Sequence, residues 1–453
     1  MVYQAVKRRD VLAYASAAAL TGSGARAQPM PVVSSTVPAG MGAGPLPVGT
    51  PWGASLDLSF MTPGTIDPRI TFTRASTATY FNSAGTLQTA AVNAPRWDYD
   101  PVTHALRGLL LEEARTNVLS QSGDVNNAAW SKFGGSGGTT PVTTANQSVA
   151  PDGTTTAASI VYAATSGGQF AVVFQQPTIA AVPYAFSCWL KGNSGGEQLY
   201  ISADNGAGGY YSSPRLTLTT QWQRFSLVMP ALTAGSAWLF KIGTDLRDSG
   251  QAATPAQTIF AWGGQLEAGA FPTSYIPTTG AAVTRAADAC AMTGTNFSSW
   301  FTTNAAGSFA AEVFYSFIAP GTTGTGRLIE LSDGTTANFL SVLPSFNTNQ
   351  YNLASTIASV AGTSLLASSG ATPASVVVKV ATAYGGGSRF FCANAGGGAG
   401  PSPVVSTPGG IATVNQLGIG NRPDLTRALA GYMRRIRYWP RILTNAEMQS
   451  VTT

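Results

Sequence analysis

Residues 184–191 read Tyr-Ala-Phe-Ser-Cys-Trp-Leu-Lys. In an extended chain alternate side chains point to opposite faces. Tyr184, Phe186, Cys188 and Leu190 therefore share one face, and Ala185, Ser187, Trp189 and Lys191 share the other. The first face is apolar and belongs in a core; the second is half polar. Comparable short runs occur at 169–175, 197–203, 222–229, 238–242 and 258–266, divided by clusters of Gly, Asn, Asp, Pro and Thr. Short strands at regular spacing with frequent turn signals predict an antiparallel β-sandwich.

A second set of strands begins near Gly307. Phe309, Ala311, Val313, Tyr315 and Phe317 alternate over one long strand. Residues 375–384 and 388–393 are joined by Gly385-Gly386-Gly387, a hairpin signal. Residues 416–420 and 432–439 are the last strands, and Thr444-Asn445-Ala446-Glu447 fits a capping box that starts one short terminal helix. Residues 276–308, rich in small residues, separate the two sets, and 398–410 form a Gly/Pro/Ser loop. The fold class expected is all-β, two tandem antiparallel β-sandwiches.

Composition agrees. Only 10% of the 453 residues are charged, against about 25% in an ordinary soluble protein. The apolar fraction of 44% is enough for several cores, which argues against disorder. No apolar run reaches 18 residues, so no membrane span is expected. Of the net charge of +5, residues 1–28 carry +3 and residues 422–453 carry +4, leaving −2 on the body. A nearly neutral body has no field to attract a polyanion, so nucleic acid is not expected as a partner. The C-terminal arginines are interleaved with Met433, Ile436 and Tyr438, the pattern of one strand with a solvated face.

Residues 1–28 hold Lys7-Arg8-Arg9-Asp10, a weakly apolar stretch, and Ala25-Arg26-Ala27 before Gln28. That order fits a twin-arginine-like signal peptide with an A-x-A cleavage site. An uncleaved alanine-rich N-terminal helix is the other reading. Residues 29–55 are a Pro/Gly-rich linker.

Two long segments resemble a known family. LDLSFMTPGTIDPRITFTRASTATYFNSAGTLQTA with APRWDYDPVTHALRGLLLEEARTNVL, and WGGQLEAGAFPTSYIPTTGAAVTRAAD, are similar to phage and prophage tail- or head-fibre-like structural proteins. Between them, YAFSCWLKG and WQRFSLVMP resemble jelly-roll carbohydrate-binding modules; LGIGNRPDLTRALAGYMRRIRYWPRILTNAEMQSVT resembles the end of a concanavalin A-like, laminin-G-type (LamG-like) lectin fold. The resemblance implies a β-rich segment over 56–120 packed on the first sandwich, a jelly roll over 121–288, and a concanavalin A-like sandwich over 295–453. It also implies a fibre or spike protein at the virion surface that binds cell-surface polysaccharide or glycan, in contact with other virion proteins. Fibre proteins are often homo-oligomers, although no coiled-coil heptad is present. A virion protein does not ordinarily carry an export signal. An exported, periplasmic or extracellular, carbohydrate-binding or scaffold protein is therefore the alternative, and a purified chain starting at Gln28 would favour it.

Catalysis finds little support. Glycoside cleavage needs two carboxylates at a set separation. Of the acids in the second set (Glu312, Glu330, Asp333, Asp424 and Glu447), Glu330 and Asp333 are three apart and diverge, and Glu447 is assigned to the cap. Adjacent Glu112 and Glu113 also diverge, which suggests a solvated edge with one buried member. A glycoside hydrolase remains a further alternative, built from acids on different strands. The single histidine, His104, follows Asp100-Pro101 in a turn. It could act as a base oriented by Asp98 or Asp100, but no nucleophile motif accompanies it, and an exposed turn residue is the simpler reading. Cys188 and Cys392 lie in mid-strand as small core hydrophobes, and Cys290 shares no flanking pattern with either.

The turns Asp204-Asn205-Gly206 and Asp245…Asp248-Ser249-Gly250 could hold a structural calcium, although the same residues are the ordinary currency of turns. No other cofactor is expected. Glycan binding needs aromatic faces beside hydrogen-bonding groups. Trp189, next to Lys191, and Tyr210 and Tyr211, after a Gly-rich loop and expected to be exposed, are the candidate carbohydrate-binding residues. Trp222 and Trp262 are expected in the core. Packing competes with binding as an explanation for each aromatic.

Overall fold

The computed structural model describes residues 53–453 except 236, 249, 303, 316–325, 346–349, 358–359, 362–364, 369–375, 386–387, 396–403 and 407–412. The signal, nearly all of the linker and most of the 398–410 loop lie outside the described residues. Ser55, expected in the linker, already donates its backbone N–H to Tyr438 O at 2.9 Å. Among the described residues no helix is long and apolar enough to cross a membrane.

The chain is all-β and antiparallel. In the first sandwich a five-stranded sheet has the order Gln223–Met229, Tyr184–Gly192, Gln257–Ala268, Ala157–Tyr162, Val142–Ser148. It faces a six-stranded sheet ordered Tyr210–Ser212, Gln198–Asp204, Leu239–Asp245, Phe170–Gln175, Ser131–Gly135, with Leu216–Thr217 beside the second of these. The alternation of the 184–191 stretch decides which face is inside. Phe186, Cys188 and Leu190 meet Ile201, Phe240 and Ile242 in one core, with the Phe186 and Phe240 rings 5.9 Å apart.

The second sandwich has two eight-stranded sheets. Ala306–Tyr315 is central in one, between Val376–Gly385 and Gly431–Trp439. Gln416–Ile419 is central in the other, between Ala289–Thr293 and Ile329–Ser332. Val376–Gly385 and Ser388–Ala395 pair as the triple glycine predicted.

The segment 56–120 meets expectation only in part. Phe81 and Leu87 do pack on the first sandwich, against Trp189, Trp262 and Tyr275, but other strands of the segment build the second. Leu56–Ser59 pairs with Gly431–Trp439, Leu106–Leu111 pairs with the same strand further along, and Thr71–Thr73 pairs with Ala289–Thr293. Leu56, Leu58, Leu109 and Leu111 lie in the same core as Val313, Met433 and Ile436. The first sandwich is thus inserted into the second. Its stem is a two-stranded ribbon, Arg115–Asn117 against Val283–Arg285. The family resemblance implied a β-rich segment over 56–120; it carried no information about a partner strand hundreds of residues away. Residues 276–308, expected only as a separator, hold that stem strand, the sheet strand Ala289–Thr293 and a helical turn, Gly294–Ser298, that seats Phe297 in the core.

The terminal helix Asn445–Thr452 begins with the capping box expected: the Thr444 side chain accepts from Glu447 N–H and the Glu447 carboxylate accepts from Thr444 N–H. Met448 and Val451 pack on Ala381, Ala383, Cys392 and Trp439. This corrects the solvated face expected of the last strand. Arg437 is only 7% exposed, and its guanidinium donates to Val451 O in the helix. A bulge at Arg434, where Glu312 pairs with Arg435 but Val313 with Met433, is why Met433 and Ile436 both reach the core.

Candidate functional site

Charge is scarce in this chain, and a large part of what is buried converges where the inserted sandwich meets its host. Arg96 donates to Glu112 Oε2 at 2.8 Å and to Asp288 Oδ2 at 2.6 Å. Arg74 pairs with the other oxygen of Asp288 at 3.0 Å, and Arg285 with Glu112 at 3.1 Å. Ser274 adds N–H and O–H donors to Glu112 at 2.7 and 2.6 Å. Burial alone would raise the Glu112 carboxyl; Arg285, Arg96 and the Ser274 hydrogen bonds overcome it and hold the pKa down to about 2. Glu112 and Glu113 divide as expected, one buried and one half-buried on Arg115.

Beside this network opens a cleft of about 920 Å³. One wall is the outer face of the five-stranded sheet. Parity explains what it carries. Leu227 and Met229 face the core, so Trp222 and Arg224 face outward on their strand, as Trp189 and Lys191 do on the neighbouring one. Trp222 is half-buried, donates its indole N–H to Val149 O at 2.8 Å, and has Lys191 Nζ 5.1 Å from its ring. Lys191 donates to Ser148 Oγ at 2.6 Å. Arg224 lies over the Trp189 ring at 4.6 Å and donates to Thr273 O at 2.6 Å and Ser187 Oγ at 3.0 Å. Its Nε is buried without a partner.

The opposite wall comes from the second sandwich and the hairpin Ala78–Phe81/Leu87–Ala90. Asp98 accepts from Phe81 N–H at 2.6 Å, Tyr432 O–H at 2.8 Å and Arg107 at 3.5 Å. Burial pushes the Asp98 carboxyl up, with Arg107 the main opposing influence. Arg107 also holds Asp100 at 2.9 Å. His104 is the exposed turn residue expected, at φ 58° on the lip of the cleft. It stands over Gly85, where an added Cβ would come within 2.7 Å of its Nε2.

Of the candidate binding residues, Trp189 is only 4% exposed. It packs edge-on against Trp262 and Tyr275, with centroids 5.6 and 5.4 Å away. Gly263 makes this fit possible. At φ 66° it absorbs the extra residue of a bulge, and a Cβ there would sit 2.6 Å from the Trp189 ring. Tyr210 and Tyr211 are half-buried rather than exposed, on the edge strand of the other sheet. Tyr211 packs on Trp238 at 5.7 Å and Tyr210 lies 5.6 Å from Lys241 Nζ. The structure does not bring these two together with Trp189. Trp262 is in the core as expected; Trp222 packs half-buried against the same cluster and also lines the cleft, and its parity with Leu227 was the available signal for the second role.

The remaining acids are engaged elsewhere. Glu330 is buried on Arg327 at 2.9 Å; Asp333 and Asp424 accept within their own turns from Thr335 and Thr426. Glu312 lies 3.9 Å from Arg437. In the turns considered for calcium, Asp204 and Asp245 both grip Lys241, and Asp245 also holds Arg247 at 2.6 Å. Ser249 lies outside the described residues, and among those described no three His, Cys, Asp or Glu side chains converge as a metal site. Cys188, Cys290 and Cys392 are free and buried in three different cores.

No protein-family profile matches the sequence, and no curated protein does. Among solved structures, the tandem CBM22-1–CBM22-2 domain of Paenibacillus barcinonensis Xyn10C aligns at 9% identity over 73% of this chain and 91% of its own, with a TM-score of 0.24. Domains LG4–5 of the mouse laminin α1 chain align at 9% identity over 78% and 92%, with a TM-score of 0.21. Superpositions this loose carry no argument about the ligand.

Proposed function

We propose that this chain is a non-catalytic, fibre- or spike-like structural protein of phage or prophage origin, and that the cleft at the junction of its sandwiches binds a cell-surface glycan. One observation carries the binding reading: the half-buried indole of Trp222 stands in a cleft of about 920 Å³ whose walls hold fixed polar groups. A pyranose ring has an apolar C–H face for the indole and hydroxyls for the polar walls. The cleft is also of the size that accepts a small ligand. The phage origin and the place at the virion surface rest on the resemblance of the segments around residues 72–118 and 258–288.

Retention rather than cleavage is favoured by the state of the two carboxylates at the cleft. Asp98 already accepts from three groups and Glu112 from Ser274, Arg96 and Arg285. A general acid or base has to hand a proton to the substrate, and neither carboxylate has a donor-free oxygen turned to that task.

The test is a glycan array probed with the full chain and with Trp222→Ala, followed by a reducing-end assay on each bound glycan. Binding that Trp222→Ala weakens about tenfold, without release of reducing ends, is expected. Binding unchanged in Trp222→Ala removes the cleft from the reading, and measurable turnover removes the non-catalytic role.

A further inference from the structure

The charges lining the cleft are unequally used. Asp98 and Glu112 are saturated by protein donors, and Arg107 is taken by Asp98 and Asp100. Two cations remain. Neither Lys191 nor Arg224 has a carboxylate within 4.0 Å among the described residues. Their hydrogen bonds go to neutral oxygens, those of Ser148, Thr273 and Ser187. The two sit on paired strands. Trp189 is opposite Arg224 and Leu190 opposite Gln223, so Lys191 comes opposite Trp222 on the same outward face, one diagonal step from Arg224. The indole is thereby flanked by an ammonium and a guanidinium.

A cation drawn out of water with no carboxylate in contact is costly, and a ligand that supplies one recovers part of that cost. The Nε–H of Arg224 has no partner, and each Nη keeps a second N–H beyond its bond to Thr273 or Ser187, so the planar guanidinium retains donors that match a carboxylate. A neutral sugar would leave both cations as they are.

Resting on the binding reading above, we infer that the cleft is specific for an acidic glycan, with a uronic-acid ring stacked on Trp222 and its carboxylate received by Arg224 and Lys191. The broad net charge of the body is near zero, so this preference is local to the cleft and does not extend to polyanions in general.

The experiment is calorimetric titration of the full chain with oligosaccharides from polygalacturonate, alginate and hyaluronan, each beside its carboxyl-reduced counterpart, and with sulfated dextran fragments. At least one carboxylated member is expected to bind tenfold or more tighter than its reduced form. Lys191→Gln, which keeps a donor for Ser148, and Arg224→Gln are each expected to bring the two forms within threefold of one another. Lys191 lies outside the packed Trp189 cluster, so its variant reads the site even if Arg224→Gln fails to fold. Equal binding of carboxylated and reduced forms overturns the acidic-glycan inference and leaves the cleft reading in place. A carboxylate preference that survives Lys191→Gln overturns the residue assignment, and tighter binding of sulfated dextran overturns the carboxylate assignment. Binding of none of these probes overturns this inference, and an array on which no glycan binds overturns the reading beneath it.

Discussion

Arg435 donates two hydrogen bonds to Asp57, at 2.8 and 2.6 Å, across 378 residues of chain. The contact lies in the ladder that aligns Leu56–Ser59 with the last strand. It shows where the host sandwich is closed: by its first strand on its last, with the other sandwich held between.

Separate expression tests this nesting. Residues 118–279 contain a complete core of their own, from Leu119 and Trp130 to Leu266, and are expected to fold alone with a cooperative thermal transition. Residues 289–453 without 53–111 lack Leu56, Leu58, Leu109 and Leu111 and are expected to give no such transition. Dispersed amide resonances from the second piece would contradict the assignment of 53–111 to the host.

Glu112→Gln leaves Arg96 and Arg285 buried without their shared anion. Breaking a buried pair from one side costs about 3–5 kcal/mol, which urea unfolding would register as a lower midpoint at unchanged slope. The pH dependence has a definite sign. The folded pKa, about 2, lies below the ordinary 4.5, so the unfolded chain takes up the proton first on acidification. This contribution is complete above pH 4.5 and is lost as the pH falls toward 2. Stability of the glutamine variant is expected to fall less over that window than that of the parent.

Trp189 and Trp222 should separate cleanly on substitution by alanine. Trp189 is packed by Trp262, Tyr275 and Gly263, and its loss is expected to cost about 3–5 kcal/mol. Trp222 is only partly buried, and its loss is expected to cost less than half as much stability. Glycan affinity is expected to drop about tenfold, an aromatic contact of roughly 1.4 kcal/mol. Calorimetric unfolding beside ligand titration gives both values; the reverse pattern would return the binding role to Trp189.

The three cysteines are expected to resist alkylation in the native chain. Burial pushes the Cys188 thiol up to about 12 and raises Cys290 and Cys392 as well, so little thiolate exists at neutral pH. Intact mass after iodoacetamide should show no adduct under native conditions and three after denaturation. A native adduct on Cys188 would mean that the core around Phe186 opens.

Period-two alternation made most strands legible, and the faces of the 184–191 stretch were read residue for residue. A cap box spelled out the final helix. Choice of partner was not legible: the resemblance implied only that 56–120 is β-rich, and neighbours in sequence are the usual choice of partner. The junction network was half visible. Arg74, Arg96, Glu112, Arg285 and Asp288 all lie in the two segments that carry the family resemblance, yet nothing in their spacing says that they meet. The packing expected of Trp222 is real but partial; parity counted back from Leu227 is what turns the rest of its ring outward.

The ribbon of Arg115–Asn117 and Val283–Arg285 has a consequence for how such a chain can diversify. Both ends of the outer sandwich leave the host side by side, so a genetic exchange with breakpoints near residues 118 and 282 would transplant it as a cassette while the host sheets stay closed. Because Trp222, Lys191 and Arg224 travel with that cassette and Asp98 and Tyr432 do not, each exchange would reshape one wall of the cleft against a constant other wall.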